Sequence, residues 1–430
     1  MSLEIIIPLA TVVVLALCGV PIWLSLAAGV IPYFGFLESM LPTQIIIQRL
    51  VIPVESSSYL AIPLFVTAGV VMNYAGISKR LLDLADSLVG HLAGGLGHVN
   101  VMLSVMMGGV SGSAAADAAM ECKILVPEME KRGYDRAFSG AVTIASSLLT
   151  PIIPPGMGLI MYAFVTNTSV GKMFMAGYAP GLLGMVLMMI YVYYVSKKRG
   201  YKGSREHRAP WKEVGQLTLR AIWALILPIG LIGALRMGVA TATEIGALCV
   251  VYAMIVGAFI YKEIKFKDIF KMLEESLLGS ATVMILICAA NPLSYFMTYE
   301  GVPQALATMI VESNMGKWAF LLLVNVILLV IGMFMDGGAP LVILAPLLQP
   351  IAASFGVDPV AFGILMCFNV GIGNMTPPFG IVLYQVRGIL NVEFGKLVKA
   401  CLPFIGIMLI VQAVITIFPG FVTFLPNLIY

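Results

Sequence analysis

GGVSGSAAADAAM, residues 108–120, gathers three glycines, two serines and one carboxylate into thirteen positions. Its surroundings are apolar. Of the 430 residues, 60% are hydrophobic and 11% are charged, whereas a soluble domain carries roughly 25% charged residues. Runs of about 18 or more apolar residues recur along the chain, long enough to cross a bilayer as helices. The chain therefore reads as an all-α polytopic membrane protein, because a barrel would show short alternating segments. Non-helical backbone at membrane depth is tolerated only inside protein or beside a water-filled cavity.

The charges give a topology. Lys and Arg cluster at Lys79–Arg80, Lys123–Arg136, Lys197–Lys212 and Lys262–Lys271, and such clusters stay in the cytoplasm. Spans near 3–18, 20–38 and 59–76 then put the N-terminus outside, and the uncharged C-terminal FPGFVTFLPNLIY also reads as outside. The N-terminus has no basic leader region and reads as a first span. Residues 95–127 leave the cytoplasm and return to it. They are too few for two spans of about 20 residues each, so they are expected to form a re-entrant helical hairpin with GVSGSAAAD at its tip.

The second half repeats this plan. IPLFVTAGVVMNYAGI (62–77) resembles NPLSYFMTYEGV (291–302), TPIIPPGMGLIMYAF (150–164) resembles NMTPPFGIVLYQV (374–386), and the tip SGSAAAD has a counterpart in FMDGGAP (334–340). All three offsets lie near 225 residues, about half the chain, as in an internal repeat. Counting spans from Lys197–Lys212 makes the second hairpin enter from outside. The expected fold is an all-α inverted-repeat transporter with two re-entrant helical hairpins and two broken transmembrane helices. Residues 1–58 are N-terminal scaffold spans. Residues 59–196 are the first repeat, with an arm helix, the hairpin 95–127 and a broken helix 137–167. Residues 197–220 are a cytoplasmic linker, and 221–276 are scaffold spans of the second repeat. Residues 277–430 complete that repeat, with hairpin 317–353, broken helix 360–390 and a final span.

Pro154–Pro155 and Pro377–Pro378 interrupt helices in mid-membrane. Freed carbonyls can ligate a cation, and exposed N–H groups can hold a carboxylate, so two Na⁺ sites are expected, each tip facing the broken helix of its own repeat. Ser111 and Ser113 are ion ligands or back-bonded helix serines. Asp117 and Asp336 pair or ligate, or cap a half-helix toward a solvated cavity. Thr376 precedes a proline and so leaves the helical ladder. Asn374 and Gln385 touch solute or bridge helices. Arg49 with Glu55, and Arg236 with Glu244, mark an interfacial surface or a docking face. The stretch 78–92 is an amphipathic arm, a brace between domains or a surface helix. Trp23, Tyr193, Tyr194, Trp211 and Trp318 read as interface anchors.

IPLFVTAG, GHLAGGLGHVNV, GGVSGSAAADAAM, ASSLLTPIIPPG and GIGNMTPPFG together resemble the large membrane subunit of TRAP (tripartite ATP-independent periplasmic) transporters, over nearly the whole chain. The resemblance implies elevator-type, Na⁺-driven import of an organic acid across a bacterial inner membrane, with two or more Na⁺ ions co-transported, and in such a membrane the outward termini read from the charges are periplasmic. It implies two protein partners, a small four-helix membrane subunit and a periplasmic substrate-binding protein. The chain length leaves no room for the small subunit as a fusion. Carried over by motif, the first Na⁺ site uses Ser111, Gly112, Ser113, Thr150 and Pro151, and the second uses Gly337, Gly338, Gly373 and Thr376. The solute carboxylate lies between the tips, with Ser113, Asp117, Asn374 and Gln385 as candidate contacts. Sialic acid is the first solute considered, on general resemblance and no single residue. Arg387 departs from the family pattern, and its role is open.

Other classes fit less well. The net charge of +3 is too small for nucleic acid, the six cysteines form no C-x-x-C pair, the three histidines make no metal site, and no Walker A motif occurs. Gly-Val-Ser-Gly at 109–112 with His91 suggests an intramembrane serine protease, which would need the base within hydrogen-bond reach of the serine. A channel would need a continuous pore. A stand-alone ion-coupled carboxylate transporter would share the architecture without the binding protein.

Overall fold

A computed structural model describes residues 3–37, 42–312, 315–335 and 338–430. Every regular element among them is helical. The first half runs α1 (Leu3–Leu17), α2 (Ile22–Gly29), α3 (Gln44–Glu55), α4 (Ala61–Tyr74), α5 (Ile77–Val89), α6 (Gly95–Gly108), α7 (Ala114–Lys131), α8 (Arg136–Ser147), α9 (Met157–Val165) and α10 (Val170–Arg199). The second half runs α11 (Trp211–Arg236), α12 (Ala242–Ile255), α13 (Ile269–Tyr299), α14 (Val302–Glu312), α15 (Lys317–Phe334), α16 (Gly338–Ser354), α17 (Pro359–Met375), α18 (Ile381–Leu390), α19 (Phe394–Ile417) and α20 (Pro419–Ile429).

Among the described residues, α10, α11, α12 with its following turn, α13 with its preceding turn, α15 and α19 are each long and apolar enough to cross a membrane. The α4–α5 pair passes the same test together but bends by 69° at its break. The protein is a multi-pass membrane protein. By contrast, α6 has 14 residues, about 21 Å at 1.5 Å per residue, short of a bilayer core of about 30 Å.

The backbone repeats itself turn by turn. Gly76, which starts α5, has φ +69°, and Gly301, which starts α14, has φ +62°. Gly133 (φ +81°) answers Gly356 (φ +69°), and two residues beyond each stands the aspartate that caps the next helix. Asp135 accepts from Phe138 N at 2.8 Å, and Asp358 accepts from Val360 N and Ala361 N at 2.8 and 3.0 Å. Asn167 (φ 53°) answers Asn391 (φ 50°) before α10 and α19. These pairs lie 225, 223 and 224 residues apart, and asparagine is among the few non-glycine residues that tolerate this conformation.

Packing sorts the helices into two groups. On one side α12 and α13 pack on α4, α13 also packs on α2 and α3, and α11 packs on α5. On the other, α6 and α7 pack on α8, α15 and α16 on α17, and α10 contacts α6, α9, α19 and α20. Few elements join the groups: α5 to α6, α4 to α9, α10 to α11, and α13 and α14 to α16. Two helices were not expected from sequence. The α3 stretch carries Pro53 and the charged Arg49 and Glu55, and the proline-containing tail folds as α20 against α10.

Candidate functional site

Four short helices begin near one another. The α6–α7 turn ends at Ser113, which starts α7, and Gly112 in that turn has φ +59°. A Cβ on Gly112 would meet Pro155 O at 2.9 Å and Met157 N at 3.6 Å, so the turn presses on the start of α9. The α9 helix in turn meets α16: a Cβ on Gly338 would lie 3.2 Å from Met161 Sδ, and one on Gly158 would lie 3.3 Å from Leu341. Finally, Gln385 on α18 donates from Nε2 to Ala115 O on α7 at 3.1 Å. The N-termini of α7, α9, α16 and α18 thus belong to one cluster. Each N-terminus carries about half a positive charge and unpaired N–H groups.

Each hairpin touches both halves of the chain. The α7 helix packs on α8 of its own half and on α18 of the other, while α16 packs on α17 and on α9. The sequence anticipates only the contact within each half. The interruptions themselves follow from proline: 148–156 holds Pro151, Pro154 and Pro155, and 376–380 holds Pro377 and Pro378, none of which can donate to a helix.

The candidate residues of the first half lie as follows. Ser111 Oγ is buried and has no hydrogen-bond partner. Ser113 is exposed and caps α7, accepting from Ala116 N at 3.4 Å. Thr150 is fully buried, and its hydroxyl lies 2.6 Å from Asp117 Oδ2 and 3.1 Å from Ser104 O. Pro151 is partly buried beside Gly156. Asp117 is 1% exposed, and its Oδ1 has no hydrogen-bond partner. It therefore points into the protein, between α7 and α8.

Sequence reasoning missed what surrounds Asp117. Glu121, one turn further on, is also fully buried. Ser104 Oγ donates to Glu121 Oε1 at 2.7 Å, Ser146 Oγ to Asn100 Oδ1 at 2.7 Å, and Asn100 Nδ2 to Thr143 Oγ1 at 2.8 Å. The signal was present as the i, i+4 spacing of Asp117 and Glu121, which shares one helical face.

In the second half, Gly337 and Asp336 lie outside the described residues. Gly338 begins α16, and Gly373 packs so closely that a Cβ would lie 2.5 Å from Gly332 C. Thr376 ends α17, and its hydroxyl donates to Ile372 O at 2.7 Å. The Asn374 amide, with its nitrogen toward α15, donates to Gly332 O at 3.1 Å and Met335 O at 3.2 Å. Asn374 and Gln385 thus both tie one helix to another. Arg387 is exposed and lies 5.9 and 5.7 Å from the Tyr384 and Phe394 rings.

At the other end of α6, residues 200–206 fasten several elements together. Arg205 pairs with Asp86 of α5 at 2.7 Å and Glu213 of α11 at 2.6 Å, and these carboxylates hold its guanidinium above the ordinary arginine range. Arg132 donates to Ser204 O at 3.0 Å, and Tyr134 stacks on Tyr201 at 4.3 Å. Burial pushes the Tyr134 hydroxyl up to about 12. His91 lines this end, and Ser111 lies beyond the far end of α6, about 20 Å along the helix. That separation removes the serine-protease pairing. On the opposite group of helices, the Arg49 guanidinium lies 3.8 Å from the Tyr295 ring centroid, and Glu244 closes a capping box with Thr241.

Among the described residues no three His, Cys, Asp or Glu side chains gather as a metal site. What the cluster offers is oxygen: hydroxyls, carbonyls at helix ends and carboxylates. Oxygen ligands suit hard cations such as Na⁺ rather than transition metals.

Comparison with known proteins adds a family. The model of the tripartite ATP-independent periplasmic transporter, DctM component, matches residues 9–421. The sialic acid TRAP transporter large permease protein SiaM of Vibrio cholerae is 36% identical over 385 residues, 89% of each chain. The C4-dicarboxylate TRAP transporter large permease protein DctM of Pseudomonas aeruginosa is 35% identical over 375 residues, 87% of each. A solved structure of the YdaH transporter from Alcanivorax borkumensis superposes with a TM-score of 0.66 at 15% identity, over 96% of this chain and 98% of that one.

Proposed function

We propose a function from the premise that this chain belongs to the DctM component family of TRAP transporters, as a large transmembrane permease and not an enzyme. Its task is Na⁺-coupled import of an organic acid across a bacterial inner membrane. The observation that carries this reading is the convergence of four helix N-termini, those of α7, α9, α16 and α18. Partial positive charge from several helix ends holds a carboxylate without a lysine or arginine in the site. Near-midplane sites built from discontinuous helices are the usual solution in secondary transporters.

In this reading the two halves are inverted, and α6–α7 and α15–α16 are re-entrant hairpins entering from opposite faces. The base of α7–α8 carries Lys131, Arg132 and Arg136, whereas the α16–α17 turn carries no basic residue, which favours cytoplasm for the first and periplasm for the second. Both termini then lie outside. The first Na⁺ sits among Ser111, Gly112, Ser113, Thr150 and Pro151, where the unpartnered Ser111 hydroxyl supports it. The second sits among Gly337, Gly338, Gly373 and Thr376. The solute carboxylate rests between the tips near Ser113, with Asp117, Asn374 and Gln385 as supporting groups. The sparse joints between the two helix groups suit an elevator, with α5 as a brace.

The relatives named for sialic acid and for C4-dicarboxylates support a carboxylate as the solute. The tripartite description of the family supports a small membrane subunit and a periplasmic binding protein as partners. The test is uptake of radiolabelled carboxylates into proteoliposomes holding this chain with its small subunit, varying the Na⁺ gradient and the binding protein. Uptake requiring both is the expected result. Uptake without the binding protein would favour the stand-alone transporter, and uptake indifferent to Na⁺ would remove the two ion sites.

A further inference from the structure

The α6–α7–α8 interface holds two fully buried carboxylates, Asp117 and Glu121. Among the described residues neither forms an ion pair with a Lys or Arg. Two uncompensated negative charges one helical turn apart would cost several kcal/mol each in desolvation, with their mutual repulsion added. The second half shows that the scaffold does not need them. Asn325 stands 225 residues after Asn100, and Asn369 stands 223 after Ser146; Asn369 donates to Asn325 Oδ1 at 2.6 Å, as does Gln412. At 224 residues after Asp117 and Glu121 the chain has Leu341 and Ala345. The acids belong to one half only.

Counting hydrogens locates the compensation. Ser104 gives its proton to Glu121 Oε1 at 2.7 Å, and Thr150, with Asp117 Oδ2 at 2.6 Å and Ser104 O at 3.1 Å in reach, gives its own to the nearer Asp117. Ser146 has one proton and three acceptors in reach: Asn100 Oδ1 at 2.7 Å, Thr143 O at 3.2 Å and Glu121 Oε2 at 3.4 Å. Asn100 Oδ1, a carbonyl oxygen, can only accept, and it is the nearest of the three. With that bond made, Glu121 Oε2 faces a lone pair of Ser146, and the contact is attractive only if Glu121 brings the hydrogen.

We infer that Glu121 is a proton-binding site, a neutral carboxylic acid that donates from Oε2 to Ser146 Oγ. The other titratable groups nearby do not replace that proton. Cys122 adjoins Glu121 on α7, and His98 of α6 is 1% exposed and turns toward Tyr193. On α8, Asp135 and Arg136 stand at the N-terminus, with Arg136 paired to Glu130. On α18, Arg387 is exposed over two rings. Docking of α6–α7 on α8 is thereby linked to proton uptake from water. Separating them would hydrate Glu121, which would then ionise like an ordinary glutamate with a pKa of about 4.3. This inference does not rest on the transport reading, and its test reads no transport.

Infrared difference spectroscopy of the purified full chain in nanodiscs, exchanged between H₂O and D₂O at neutral pH, reads protonated carboxyls directly. A carbonyl-stretch band of a protonated acid is expected, lost in Glu121→Gln and kept in Asp117→Asn. Ser146→Ala keeps the acid but removes its acceptor, so the band should move to the higher frequency of a weakly bonded acid. No such band at neutral pH, or a band unmoved by Ser146→Ala, would overturn the assignment even if Glu121→Gln failed to fold.

Discussion

Thr150 and Gly112 show how single residues shape the cluster. The Thr150 hydroxyl donates to Asp117 Oδ2 at 2.6 Å. Thr150→Val keeps the shape and takes a hydrogen-bond donor from a buried carboxyl group, a loss of about 1–3 kcal/mol. Thermal unfolding of the purified variant should show a clearly lower midpoint, and an unchanged midpoint would mean that Asp117 finds other support. Gly112 holds φ +59° against the α9 start. Any L side chain there adds strain of roughly 1–2 kcal/mol and pushes on Pro155 O. The turn at 111–113 was legible in the sequence because Gly between two serines reads as a break. The Glu121 network was not, because isolated polar residues in apolar helices look alike whether they bridge helices, back-bond or hold a proton. Only the packing of α6, α7 and α8 shows that Asn100, Ser104, Glu121 and Ser146 meet.

At the scale of elements, the repeated caps are the clearest sign of the duplicated plan. Asp135 and Asp358 each accept backbone N–H groups at the start of α8 and α17. Removing either cap should cost about 1 kcal/mol. Asp135→Ala and Asp358→Ala should therefore lower the unfolding midpoint by similar amounts, and a large effect in one alone would mean that the two positions are not equivalent. Much of this order was readable from proline pairs and apolar runs. The short helices were harder. Nothing in the periodicity of 44–55 or 419–429 marks α3 or α20, whose residues are helical because α13 and α10 pack on them. The cross-contacts of α7 with α18 and of α16 with α9 are long-range and leave no local trace.

At the scale of the molecule, a duplicated chain places four helix N-termini in one cluster and keeps two helix groups apart except at a few joints. Inversion of the halves is what would turn this arrangement into two gates facing opposite compartments. The sequence carries that inversion only through charge, since Lys131, Arg132 and Arg136 surround the α7–α8 turn while the α16–α17 turn holds Asp358 and no basic residue. Sidedness of labelling tests it most directly. On a cysteine-free background, Lys131→Cys and Ser354→Cys place a thiol at an exposed position of each hairpin base. In intact cells a membrane-impermeant maleimide should label the Ser354→Cys protein and spare the Lys131→Cys protein until the membrane is opened. Labelling of both positions from the same face would contradict the inverted arrangement, and with it the two-gated carboxylate site.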